Sequence, residues 1–183
     1  DVLSYDFSSA VTKPGERIRV VGNVPYNIST PILLRLIRYR EHLSSATLML
    51  HKELAERILA VPGTSDYGSL SVLTAVYMIA IRVIAVAPGC FFPPPKVSSL
   101  VIRLETRDSP LVTVNNPDRF ENIVRASFAK RRKTLMNSLK DNPFVTLDQQ
   151  QALRALAESG IDPNRRGETL TPREFARLAD SLG

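Results

Sequence analysis

The strongest constraint on the fold is a strand, a loop and a helix that follow one another near the start of the chain. Residues 17–22 are rich in apolar and β-branched side chains, which is typical of a strand buried in a sheet. Thr30 and Pro31 are residue types favoured at the N-cap and the first position of a helix, so we predict a helix from Pro31 to about Arg40. The loop between strand and helix therefore lies at the carboxyl end of a strand, where α/β sheets bind ligands.

Strands and helices continue to alternate through the first half of the chain. The pattern predicts strands over 46–50, 79–86 and 97–104, helices over 52–60 and 69–78, and the edge of a strand over 1–7. A proline-rich loop without a helix joins the last two strands, which implies that they pair antiparallel. We therefore predict an α/β fold with an open, Rossmann-like sheet whose last strand runs against the others.

The second half of the chain has helical patterns only. Asn116 precedes a proline and is a predicted helix start, and capping boxes are predicted at Thr146 and Thr171. The chain accordingly divides into an α/β domain, residues 1–107, and a small all-α domain, residues 108–183.

Composition narrows the class of protein. The apolar fraction of 44% and the charged fraction of 23% are those of a globular protein. No apolar run approaches the ~20 residues of a membrane span, and no basic-then-apolar start indicates a secretory signal. Cys90 is the single cysteine and the two histidines are far apart, so we expect no internal disulfide and no metal site. A reducing, cytoplasmic location fits this composition.

The positive charge is concentrated in one segment. Residues 125–140 contain six basic side chains and no acidic one, which accounts for the whole net charge of +6. A clustered basic stripe favours the phosphate backbone of a nucleic acid as the partner, and the alternative is a solvated helix face.

The loop after the first strand has groups suited to a nucleobase amine. Such an amine is a poor nucleophile because its lone pair is delocalised into the ring. The side-chain oxygen of Asn23 and the carbonyl of Val24 can accept hydrogen bonds from its two N–H groups. Pro25 fixes the turn and Tyr26 offers a ring on which a base can stack. The alternative is a proline turn with a buried tyrosine.

Five stretches in this order resemble one family, the small-subunit (16S-type) rRNA adenine N6,N6-dimethyltransferases. They include Asn-Val-Pro-Tyr, Phe-Phe-Pro-Pro-Pro-Lys-Val and Lys-Arg-Arg-Lys-Thr-Leu, and they occupy residues 21–31, 67–72, 91–99, 128–135 and 160–168. The resemblance implies a methyltransferase that uses S-adenosylmethionine to dimethylate N6 of two adjacent adenosines. Its partner would be small-subunit rRNA in an immature small ribosomal subunit, which implies a role in subunit maturation.

The resemblance also implies roles for single residues. Asn23 would accept the hydrogen bonds of the target amine while its loop borders the cofactor. Tyr26 and Phe91 would stack on opposite faces of the flipped adenine. Asp1 would contact the adenine of the cofactor, and the alternative for it is a frayed terminus. Core packing is the alternative for Phe91 and, apart from the resemblance, the expectation for Phe92. The predicted rRNA contacts, through phosphates, are Lys96, Arg131, Arg132, Lys133, Arg165 and Arg166.

The chain departs from the family in one respect. No segment has the G-x-G-x-x-G pattern of a cofactor loop in a first βα turn. We therefore expect a chain shortened at its amino end, with an incomplete S-adenosylmethionine site and little or no activity by itself.

Three other functions stay open. A non-catalytic RNA-binding assembly factor would explain the missing cofactor loop. A large-subunit rRNA adenine methyltransferase shares the acceptor loop and the proline-rich motif, although the helical tail argues against it. A DNA adenine methyltransferase is weaker still, because the tail has no evident role there.

Overall fold

The computed structural model describes residues 1–140 and 142–182, whose contacts divide into two compact units. The first unit comprises residues 1–59 and 77–109, and the second comprises 60–76 and 110–183. The sequence placed a boundary after residue 107 and assigned 60–76 to the first domain, whereas the contacts group this segment with the helical unit. The buried Tyr67 explains the grouping, because its hydroxyl donates to the carbonyl of Leu170, at 3.0 Å.

The first unit contains a four-stranded mixed sheet in the order β1-β2-β4-β3. The strands are β1 Ile18–Asn23, β2 Leu43–His51, β3 Met78–Val86 and β4 Ser99–Thr106. β1 pairs parallel with β2, and β4 pairs antiparallel with both β2 and β3. The prediction of a Rossmann-like sheet whose last strand runs against the others is confirmed.

Burial in β1 differs from the prediction. Its side chains alternate between half-buried and exposed, and Val21 is 81% exposed. Successive side chains of a strand point to opposite faces of the sheet, and the described residues leave the face that carries Val21 uncovered. Residues 1–7 also form no strand, because the N–H of Ser4 donates to the carbonyl of Asp1 in a turn, and a 3₁₀ turn over Phe7–Ala10, capped by Asp6, follows it.

The helices of the first unit are α1 Ser29–Arg38 and α2 Lys52–Leu59. α1 buries one apolar face, which contains Ile32, Leu33, Leu36 and Ile37. Its predicted N-cap is wrong, because Ile28 occupies that position and makes no side-chain capping bond. A 3₁₀ turn over Tyr26–Ile28 leads directly into α1, which places Thr30 inside its first turn.

The second unit is built from helices. They are α3 Ser69–Tyr77, whose last residue belongs to the first unit, α4 Pro117–Ala129, α5 Leu135–Leu139, α6 Gln149–Glu158 and α7 Pro172–Asp180. Asn116 caps α4, and the capping box of Thr171 and Glu174 opens α7, both as predicted. α6 instead uses a capping box of Asp148 and Gln151, so the predicted start at Thr146 is wrong.

The core of this unit is aromatic and aliphatic. Phe120 and Phe175 are fully buried, and Phe128 lies between the rings of Tyr67 and Phe175, at 5.8 Å from each. These contacts join α4 and α7 to the segment that precedes α3.

None of the helices that the structure describes is long and apolar enough to cross a bilayer.

Candidate functional site

The register of the sheet brings two loops together at one edge, the edge at which the parallel strands β1 and β2 end. Asn23 at the end of β1 is opposite Met49 of β2, two residues before the end of that strand. His51 at the end of β2 is opposite Ser99, the first residue of β4, and Ser99 is in turn opposite Val86, the last residue of β3. The loop after β1 and the proline-rich loop between β3 and β4 therefore leave the same edge of the sheet.

Hydrogen bonds hold the backbone of the first loop. The N–H of Val24 donates to the carbonyl of Met49 at 3.1 Å, and the Val24 side chain is buried. The carbonyl of Pro25 accepts from the Ser29 hydroxyl at 2.9 Å and from the N–H of Ile28 at 3.2 Å. The loop is thus fixed by its buried valine on one side and by the start of α1 on the other.

The acceptor groups of this loop remain available to a ligand. The Asn23 side chain is exposed and has no hydrogen-bond partner among residues 1–140 and 142–182. The carbonyl of Val24 likewise accepts no hydrogen bond from these residues. An Asn23 buried in packed core would have contradicted the proposed acceptor role, and its exposure removes that objection.

Tyr26 is held on two sides while its ring stays accessible. Its hydroxyl shares a hydrogen bond of 3.0 Å with the hydroxyl of Ser99. Its ring meets the imidazole of His51 edge-on, with centroids 5.2 Å apart and planes at 78°. The residue is 45% exposed, so the alternative of a buried tyrosine in a proline turn does not apply.

The two phenylalanines of the proline-rich loop differ. Phe91 is half-buried at the edge that also carries Tyr26. The predicted clamp of Tyr26 and Phe91 around a base stays a prediction. Phe92 is fully exposed, so its predicted core position is wrong. The cause is that residues 91–98 form an irregular loop beyond the end of β3.

Asp1 occupies an exposed turn. Its carboxylate accepts a hydrogen bond from the N–H of Leu3 at 2.9 Å, and its carbonyl accepts from the hydroxyl of Ser4. Its role toward a cofactor stays a prediction. Among the residues that the structure describes, no three histidine, cysteine, aspartate or glutamate side chains come together to hold a metal ion.

The six predicted rRNA contacts fall into two groups. Lys96, Arg132, Lys133 and Arg166 have exposed side chains. Arg131 is paired with Glu168 at 3.3 Å, although half of its side chain remains exposed. Arg165 is bound to Glu174, with 2.5 Å between the nearest atoms, and donates to the carbonyl of Thr169, so it stabilises the second unit whether or not it contacts RNA.

The ion pair with Arg165 changes the acidity of Glu174. Burial raises the pKa of Glu174, but hydrogen bonds from Arg165 and Thr171 outweigh it and lower the pKa to about 2. Burial also raises the pKa of the nearby Tyr67 hydroxyl, and the negative charge of Glu174 raises it further. Both shifts favour an ionised Glu174 beside a neutral tyrosine in the folded chain.

Sequence reasoning missed two groups at the sheet edge. These groups are His51 and Ser99, both of which contact Tyr26. A signal was available for His51, since it ends a strand parallel to β1 and therefore lies at the same ligand-binding edge. The contact of Ser99 with Tyr26 depends on the register of β4 against β2, which local sequence does not specify.

Comparisons with known proteins point to one family. A model described as ribosomal RNA adenine dimethylase matches residues 1–183. The chain is 46% identical over 182 residues to ribosomal RNA small subunit methyltransferase A of Shouchella clausii, and 45% identical over 183 residues to that of Myxococcus xanthus. These matches cover 99% and 100% of this chain, which spans 60% and 64% of the length of the two relatives.

Two solved structures are similar to the chain. A dimethyladenosine transferase from Plasmodium falciparum superposes with a TM-score of 0.73 at 28% identity, over 92% of this chain and 67% of the other. The 23S rRNA methyltransferase ErmE superposes with a TM-score of 0.62 at 26% identity, over 100% of this chain and 69% of the other.

Proposed function

Because the chain belongs to the ribosomal RNA adenine dimethylase family, we propose that it carries the adenine-binding part of an enzyme that dimethylates N6 of adjacent adenosines in small-subunit rRNA. The observation that carries this proposal is the exposed amide of Asn23, which has no hydrogen-bond partner in the part of the chain that the structure describes. We favour the small subunit over the large one as the substrate, because the two relatives described above are named ribosomal RNA small subunit methyltransferase A. The cytoplasmic location predicted from composition goes with an immature small subunit as partner.

The proposed methyl transfer requires that the target amine is positioned and polarised, and it does not require an acid, a base or a metal. Asn23 Oδ1 and the Val24 carbonyl accept the two N–H groups of the target amine, which draws its lone pair out of conjugation with the ring. Tyr26 stacks on one face of the base and Phe91 on the other, replacing the neighbours that the base loses when it leaves the RNA stack. The bond to Ser99 and the contact with His51 keep the Tyr26 ring in place.

S-adenosylmethionine supplies the electrophilic methyl group when it is bound. Among the described residues, only Asn23 and Asp1 are candidates for contact with this cofactor. The amide of Asn23 faces solvent beside β1, and the carboxylate of Asp1 retains acceptor capacity besides its bond to Leu3. No glycine-rich G-x-G-x-x-G loop occurs in the 183 residues, so we assign no other group to the cofactor.

The test uses the complete gene product that contains residues 1–183. It is incubated with labelled S-adenosylmethionine and with small or large ribosomal subunits that lack the modification. We expect dimethyladenosine in the small subunit only. Asn23→Ala should slow methylation by about 100-fold or more, the usual cost of removing one preorganised polar group from a reacting centre.

The matched control is Asn122→Ala, which removes an exposed asparagine of α4 in the second unit. It should methylate at the rate of the unchanged protein. Label in the large subunit would support the large-subunit alternative instead. Binding to small subunits without methylation, unaffected by Asn23→Ala, would identify an assembly factor.

A further inference from the structure

We propose that the Phe92 ring is a stacking platform for the base next to the target adenosine. The inference deepens the proposed function, since it rests on an enzyme that takes one adenosine of an adjacent pair out of the RNA. Phe92 is 101% exposed, the largest value of any phenylalanine or tyrosine in the part of the chain that the structure describes. An uncovered aromatic ring is unfavourable in water, because the burial of such a ring normally stabilises a protein. We therefore expect a partner that covers it.

The backbone of the proline-rich loop directs Phe91 and Phe92 to opposite sides. Phe91 is extended, with φ −124° and ψ 153°, and successive side chains of an extended segment point in opposite directions. Phe91 is accordingly half-buried at the edge of the sheet, while Phe92 faces solvent. A base that enters between Tyr26 and Phe91 therefore leaves the rest of the RNA on the side of the Phe92 ring.

The loop is anchored on both sides of Phe92. Before this residue, a 3₁₀ turn over Pro88–Cys90 follows the end of β3. After it, the carbonyl of Ser98 accepts the N–H of Lys52, the first residue of α2, at 3.0 Å. Residues 93–95 are prolines, whose rings fix φ between the two anchors. A ring on a backbone constrained in this way loses little conformational entropy when a base stacks on it.

An unpaired base is the ligand that suits an exposed ring at this position. When one adenosine leaves the RNA stack, the base beside it loses its neighbour on one face, and an aromatic side chain can cover that face. Residues 87–98 contain no acidic side chain, and the exposed Lys96 supplies a positive charge for an adjoining phosphate. A protein segment would cover Phe92 by apolar contact alone, which does not require a flat side chain. The two kinds of partner can thus be distinguished by substitution.

The first measurement is steady-state methylation of unmodified small subunits by the complete gene product. We expect Phe92→Ala to raise KM about tenfold with kcat little changed, because stacking away from the reacting atoms stabilises the bound substrate and the transition state equally. Phe92→Trp should restore KM, whereas Phe92→Leu, which is apolar but not flat, should not. Leu111→Ala is the control, since it removes an exposed apolar side chain of the second unit and should leave KM unchanged. An unchanged KM in Phe92→Ala, or full restoration by leucine, would overturn the platform and leave the methylation proposal standing.

The second measurement does not depend on methylation. The same proteins bind a labelled RNA hairpin with two adjacent adenosines in its loop, and two further hairpins in which one or the other adenosine lacks its base. Phe92→Ala should weaken binding of the intact hairpin about tenfold, and this loss should disappear with the hairpin that lacks the stacked base, since the ring and the base then act as one pair. An equal loss with all three hairpins, or no binding of the intact hairpin by the unchanged protein, would overturn the platform. If the unchanged protein methylated neither subunit, the proposed function would fail, and the hairpin comparison would still decide on the platform.

Discussion

Tyr26 is the residue at which fold and proposed chemistry meet most directly. Its ring is accessible for stacking on a base, while its hydroxyl is hydrogen-bonded to the hydroxyl of Ser99. We expect Tyr26→Phe to keep the stacking surface and to lose one hydrogen bond, which costs about 0.5–1.5 kcal/mol and slows methylation by about tenfold at most. Tyr26→Ala should cost a further ~1–3 kcal/mol, because the stacking face is also lost.

The measurement is the single-turnover rate of the complete gene product on unmodified small subunits. Ser99→Ala serves as the control, since it removes the other partner of the same hydrogen bond and should match Tyr26→Phe. If Tyr26→Ala were as active as Tyr26→Phe, the ring would have no part in binding the base.

The start of α7 is the element whose stability depends most clearly on pH. The pKa of Glu174 is lowered from 4.5 to about 2 in the folded chain, so its ionised form stabilises the fold. Such a group contributes fully above its unfolded pKa, and the contribution is lost as the pH falls from about 4.5 towards 2. We expect Glu174→Gln to be less stable than the unchanged chain at pH 7, and the difference to shrink across that window.

Urea denaturation at a series of pH values measures this difference. Glu158→Gln is the matched control, because that carboxylate is exposed at the end of α6 and makes no hydrogen bond among the described residues. A constant difference between Glu174→Gln and the unchanged chain from pH 7 to pH 2 would show that the Arg165 pair does not set the stability of α7.

At the scale of the whole molecule, sequence predicted two of the local helix caps, at Asn116 and Thr171, and missed the features that depend on distant residues. The cap at Asn116 and the box at Thr171 were predicted because each involves residues three positions apart. The exposure of Val21 depends on which segments cover the sheet, and no local pattern records that. The place of residues 60–76 depends on a ring and a hydroxyl that meet residues far along the chain.

That segment supplies a test of how the chain divides. Tyr67 is fully buried among Phe128 and residues of the second unit, so Tyr67→Ala should destabilise that unit by about 3–5 kcal/mol, as for other buried aromatics. We expect hydrogen exchange to accelerate in α4 and α7, whereas β2 and β4 should keep their protection. Tyr67→Phe is the matched control, because it retains the ring and loses only the bond to the Leu170 carbonyl, and its effect should be smaller. Faster exchange in the sheet with unchanged protection in α4 and α7 would show that residues 60–76 stabilise the first unit and not the second.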